Sequence, residues 1–212
     1  MYLYSRRATL APGHIAEAMG WASSITEVAT RASGLPVQLW TSTLSPDVGT
    51  LIWSTWAPDL TALEAAFDKL GVDPGFQESS DAGAAFLTGG ADDRVVAILS
   101  GEPDPSRQVT YVVGVNAVAR GGSAARAMEV GTKLATLATE ITGETTLFGA
   151  ALTGPYGAVQ WITGYADIAA LEAAQQKLSS DASWLKVVDD EAGTVFTEDP
   201  DSTTQLIFRK VV

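Results

Sequence analysis

Apolar residues fall into the same succession of patterns twice along the chain. The first run opens with YLYSRRATL and the second with VTYVVGVNAV, both rich in β-formers and ended at Pro12-Gly13 and Gly121-Gly122. Ile15, Met19, Ala22, Ile25, Ala29 and Ala32 then recur at steps of three and four. Ala124, Met128, Gly131, Ala135, Ala138 and Ile141 do the same in the second run. That spacing predicts two long amphipathic helices, closed by Gly34 and Gly143. Alternation returns in VQLWTSTL and TLIWSTW, and again in TLFGAALT and AVQWITGY. Their short Pro/Gly connections at 45–49 and 154–157 predict hairpins. Asp59 and Asp167 suit the N-cap of a further helix, which would turn Leu60, Leu63, Phe67 and Leu70 inward, or Ile168, Leu171 and Leu178. Segments 74–88 and 181–197 fit a short helix or an extra strand. RVVAILS and TQLIFRKV close the two runs as strands.

The runs share residues as well as patterns. LEAAFDKL at 63–70 and LEAAQQKL at 171–178 agree at six of eight positions. Around them Asp59 answers Asp167, Trp53 answers Trp161 and Gly49 answers Gly157. Met19, Gly34 and Phe86 answer Met128, Gly143 and Phe196. An ordered series of this kind marks a tandem duplication. The joint falls in GEPDPSR at 101–107, a poor helix or strand. The expected domains are 1–103 and 107–212. Each is α+β, a ferredoxin-like βαββαβ repeat with a four-stranded antiparallel sheet and two helices on one face. The uncovered faces also carry apolar residues, so the second copy is expected to cover the first and form a barrel within one chain.

Composition narrows the function. A hydrophobic fraction of 46% and a charged fraction of 18% over 212 residues describe a folded chain. The net charge of −12 argues against nucleic acid and anionic membrane surfaces as partners. With no cysteine and one histidine, thiolate chemistry and a His-rich metal site are excluded within the chain. MYLYSRR lacks the apolar core of a signal peptide and no apolar run spans a bilayer, so a cytoplasmic protein is expected. Neither glycine-rich nucleotide loop occurs, and no cofactor or metal is expected.

Few residues carry candidate chemistry. His14, after Pro12-Gly13, is either a general base at a barrel mouth or an exposed first-turn residue. Trp53 and Trp161 stand at equal positions, with Trp40 nearby. They either line a cavity for a planar ligand or pack an ancestral core. Trp40 is answered by Gly149, which leaves room on one side. Arg6 and Arg7 interrupt an apolar strand, and alternation sends one to each face. Arg7, with Asn116 at the matching place, would meet an anionic ligand or reach solvent. Gln38 and Gln160 are polar residues within strands, lining a cavity or facing water. Asp92-Asp93 and the run 189–191 read as solvated loops.

The duplicated order of elements resembles the dimeric α+β barrel superfamily, which includes antibiotic-biosynthesis monooxygenases, NIPSNAP-like proteins and stress-responsive A/B barrel proteins. The resemblance covers nearly the whole chain and rests on element order and repetition. It implies a barrel normally made by two chains, here fused. Some of these families bind haem through a histidine in the C-terminal half; the second copy has none. The expected function is binding of a small hydrophobic or aromatic molecule. The alternatives are a cofactor-independent monooxygenase acting on an aromatic or polyketide-like substrate, and a self-associating interaction module, with homodimerisation open.

Overall fold

The computed structural model describes residues 1–199 and 202–212. Two compact units emerge, Met1–Val95 with Arg209–Val212, and Val96–Phe208. The first contains β1 (Tyr2–Leu10), α1 (Ile15–Ser33), β2 (Val37–Ser42), β3 (Thr50–Ala57), α2 (Leu60–Val72) and α3 (Pro74–Gly83). β4 (Leu87–Ser100) begins there and continues into the second. The second unit contains β5 (Tyr111–Val118), α4 (Ala124–Thr142), β6 (Thr146–Ala151), β7 (Ala158–Tyr165), α5 (Ile168–Ser180) and α6 (Ala182–Val187). A π-helical turn (Val188–Ala192) and α7 (Gly193–Val195) follow, then β8 (Thr204–Lys210). The hydrogen-bonded order β1-β3-β2-β8-β5-β7-β6-β4 closes on itself as an eight-stranded barrel. Along it the first copy reads β4-β1-β3-β2 and the second β8-β5-β7-β6, the same permutation twice. Among the described residues no helix is long and apolar enough to cross a membrane.

The duplication reaches the details. α1 and α4 have 19 residues each, and α2 and α5 have 13 each. Asp59 and Asp167 cap the latter pair by accepting the amides of Ala62 and Ala170 at 2.7 and 2.8 Å. Gly34 and Gly143 end the long helices at φ of 78° and 80°, where a side chain would be strained. One turn earlier the hydroxyls of Thr30 and Thr139 accept the amides of Val37 and Thr146, fixing where β2 and β6 begin.

Tertiary packing shifts some expected faces. The buried face of α1 runs through Ala18, Ala22, Ile25, Ala29 and Ser33, while Ile15 is exposed. The period fixes a face only to within a residue, and the small side chains take the close approach to the sheet. Leu60, Ile168 and Phe67 also remain largely exposed. β4 is longer than RVVAILS because it incorporates Gly89-Gly90 and Asp92-Asp93, which local propensity assigns to a loop. Neighbouring β1 holds this weak stretch: Thr88 donates to the Thr9 carbonyl, and Arg6 clasps Asp93. The acidic run 189–191 is helical rather than a loop, and Glu191 accepts from Arg126 and Lys133.

A compensated exchange separates the two cores. Leu39 and Ala22, both fully buried in the first unit, are answered by Phe148 and Gly131 in the second. A Cβ on Gly131 would lie 2.1 Å from Phe148 Cζ, so the larger ring of β6 requires the glycine of α4. Gly20 of α1, by contrast, has nothing within 4 Å of its would-be Cβ. Gly131→Ala is therefore expected to destabilise by about 1–3 kcal/mol. Gly20→Ala should stabilise by about 0.4–1 kcal/mol. Urea denaturation midpoints of the two variants, moving in opposite directions, check the assignment.

Candidate ligand pockets between helices and sheet

Each unit holds an apolar cavity between its helices and the helix-covered face of its strands. In the first unit it measures about 450 Å³ and is walled by Trp21, Trp53, Phe67, Phe76, Ile25 and Leu63, among others. In the second it measures about 590 Å³, with Trp161, Phe196, Trp184, Leu134, Val113 and Val188 among its walls. Both volumes fall in the range of small-molecule sites.

The same side chain organises both. Trp53 on β3 and Trp161 on β7 reach across to the long helix of their own unit. The Trp53 indole donates to Thr26 Oγ1 at 3.0 Å, and that hydroxyl donates to the Ala22 carbonyl at 2.7 Å. The Trp161 indole donates directly to the Gly131 carbonyl at 2.8 Å. Each indole keeps its polar edge satisfied while its rings form a wall. Trp53 meets Trp21 edge-on at 5.8 Å; Trp161 stacks on Phe148 at 5.1 Å and meets Phe196 edge-on at 5.3 Å. Short helices close the far side, with Phe76 from α3 and Trp184 from α6.

Polar groups are placed differently in the two cavities. In the first, Tyr4 and Arg6 of β1 face the cavity, and Arg6 forms a two-pronged ion pair with Asp93 at 2.7 Å for each contact. Burial pushes the Tyr4 phenol well above its usual range. The Asp93 hydrogen bond does the most to raise the Arg6 guanidinium. Burial alone would raise the Asp93 carboxyl, but Arg6 and the Tyr4 hydroxyl outweigh it and hold the group below the ordinary carboxylate range. The corresponding residues of the second copy are Val113 and Val115. There the hydroxyls are Thr146 and Thr163, 2.8 Å apart, and Tyr165, whose phenol is raised by burial against hydrogen bonds to Thr163 and Gln175.

Of the residues singled out from sequence, Trp53 and Trp161 line these cavities. Arg7, Gln38 and Trp40 stand on the opposite face of the first unit's strands, as alternation with Arg6, Val37 and Leu39 requires. There Arg7 and Trp40 flank Ile52 in register. Arg7 pairs with Asp47 at 2.9 Å, and the Trp40 indole donates to Ser54. Asn116, Gln160 and Gly149 form the matching row in the second unit, and Asn116 donates to Thr204. The absent side chain at Gly149 leaves no opening, since a Cβ there would lie 2.5 Å from Val96 and 2.6 Å from the Ala97 carbonyl of β4. His14 is exposed, in the left-handed region at φ 53°, with Nδ1 2.7 Å from Glu17, and lines neither cavity. Among the described residues no group of three His, Asp or Glu side chains could hold a metal ion.

Sequence reasoning missed Tyr4, the Arg6–Asp93 pair, Phe76 and Trp184. The alternation of Tyr4, Arg6 and Ala8 with Trp53 across the β1–β3 register carried part of that signal. The pairing with Asp93 was hidden because its segment reads as a loop. A carboxyl depressed in the folded state stabilises above its unfolded pKa of about 4, and the contribution is lost as pH falls through the folded value. Asp93→Asn should therefore lower the melting temperature at about pH 7, and the gap from the unsubstituted protein should close on acidification toward about pH 3. Thermal unfolding of both proteins across that range checks the sign.

No protein-family model and no curated protein matches the chain. Solved structures do match its backbone. One from Fusobacterium nucleatum subsp. nucleatum, described as a candidate monooxygenase, aligns with a TM-score of 0.73 at 7% identity, over 100% of this chain and 92% of that one. A second candidate monooxygenase, from Lactobacillus acidophilus, aligns at 0.65 and 10% identity, over 99% and 93%. An anthrone oxidase-like protein aligns at 0.67 and 12% identity, over 100% and 91%. At such identities the likeness speaks for the fold. Together with the closed eight-stranded order and the repeated permutation, it identifies the chain as a dimeric α+β barrel fold whose two halves are written in one polypeptide.

Proposed function

We propose that the chain binds a small, largely apolar aromatic molecule in its helix–sheet cavities, above all in that of the second unit. The observation carrying this reading is the cavity of about 590 Å³ walled by Trp161, Phe196 and Trp184, with a few hydroxyls along one side. A wide apolar space with aromatic walls and sparse polar groups is the usual composition of a site for a planar organic ligand. Trp161 and Trp53 are its proposed ligand contacts. The polar rows on the opposite strand faces, Arg7 with Trp40 and Gln38, and Asn116 with Gln160, are secondary candidates.

The solved structures described as candidate monooxygenases and as anthrone oxidase-like favour a second reading, in which the bound aromatic is oxygenated without a resident cofactor. Oxygen uptake with a naphthoquinol separates the two. Sustained consumption above the autoxidation rate assigns the second reading, and binding without consumption assigns the first.

Titration with the neutral probe N-phenyl-1-naphthylamine is expected to quench tryptophan emission saturably. Trp161→Leu should weaken binding by about tenfold, in keeping with the loss of a large aromatic contact. Val188→Phe, which fills the cavity and keeps the Trp161 hydrogen bond, should weaken it too while the far-UV circular dichroism is unchanged. Absence of saturable binding by the unsubstituted protein contradicts the proposal.

A further inference from the structure

We infer that Thr197 is the residue with which the second unit's cavity recognises a hydroxyl or carbonyl group on an uncharged aromatic ligand; this rests on the reading of that cavity as a binding site. Thr197 lines the cavity, and its Oγ1 is buried with no hydrogen-bonding partner among the described residues. A buried hydroxyl without a partner is costly, and natural folds rarely leave one unless something else supplies the bond.

The surrounding backbone prevents Thr197 from turning away. Its amide donates to the Val118 carbonyl at 2.9 Å, and the Arg120 amide donates to Val195 at 2.8 Å. The Arg120 side chain then clamps the same segment, Nε to the Phe196 carbonyl at 2.7 Å and Nη2 to Gly193 at 3.0 Å. Phe196, one residue before, stands edge-on to Trp161. The hydroxyl is thus held at the aromatic end of the cavity, where a planar ring would lie.

The fold itself does not demand a hydroxyl at this point. Phe196 is the counterpart of Phe86, so Thr197 is the counterpart of Leu87, which lines the first unit's cavity with an apolar side chain. A threonine hydroxyl both donates and accepts, so it serves a phenol or a carbonyl equally. Charge is not called for: Arg120, the neighbouring cation, is taken up by backbone carbonyls and Glu198.

The test compares 2-naphthol with its methyl isostere 2-methylnaphthalene, read by quenching of tryptophan emission in the intact protein. The unsubstituted protein should prefer 2-naphthol. Thr197→Val, which keeps the shape and removes the hydroxyl, should weaken 2-naphthol by about tenfold and leave 2-methylnaphthalene within about twofold. Thr197→Ser should retain the preference, and thermal unfolding of both variants verifies that they fold. If both probes bind and Thr197→Val changes them alike or not at all, the assignment of Thr197 is overturned while the cavity reading stands. If neither probe binds, the cavity reading falls and this one with it.

Discussion

The structure depends on one repeated tie, an indole that bridges a strand to the long helix above it. Trp53 reaches Thr26 of α1, and Trp161 reaches Gly131 of α4. A buried hydrogen bond of this kind contributes about 0.5–1.5 kcal/mol, and losing it would strand a polar group at greater cost. Its geometric effect matters more. A side chain as large as tryptophan, fixed at both ends, sets the spacing between helix and sheet, and small residues such as Ala18, Ala22, Ala127 and Ala135 pack the remainder of the contact. Where aromatic walls rather than interdigitating aliphatic chains hold the layers, space remains beside them.

Within that shared frame the copies have diverged in compensated steps. Leu39 over Ala22 became Phe148 over Gly131, or the reverse, with the ring volume exchanged for a methyl. The polar groups moved as well. The first unit carries Tyr4 and Arg6 on its opening strand with Asp93 as partner, whereas the second carries Val113 and Val115 there. The second unit instead places Tyr165, Gln175 and the Thr146–Thr163 pair along its cavity, and Thr197 where the first has Leu87. Duplication supplied two similar cavities, and substitution gave them different chemistry.

Much of the fold was legible from the order of apolar patterns. The repeat, the helix caps at Asp59 and Asp167 and the closing glycines 34 and 143 are local signals, and they map onto local structure. The repeated tryptophans stood out as well, because an identical large residue at an equal place in both copies is hard to miss. What stayed hidden is non-local. Gly89, Gly90, Asp92 and Asp93 are poor strand residues that become strand through pairing with β1. Arg6 and Arg7 are indistinguishable until register assigns one to each face. The burial of the Thr197 hydroxyl depends on a segment clamped by Arg120, 77 positions away in sequence, and no periodicity reports that.

The central claim is that each unit keeps an open apolar space beside its bridging indole. Crystals of the protein pressurised with xenon test it without assuming any ligand, since dry apolar cavities take up the gas. Anomalous peaks beside Trp53 and Trp161, between helices and sheet, are the predicted result. Well-ordered crystals with no xenon at either place would contradict the account.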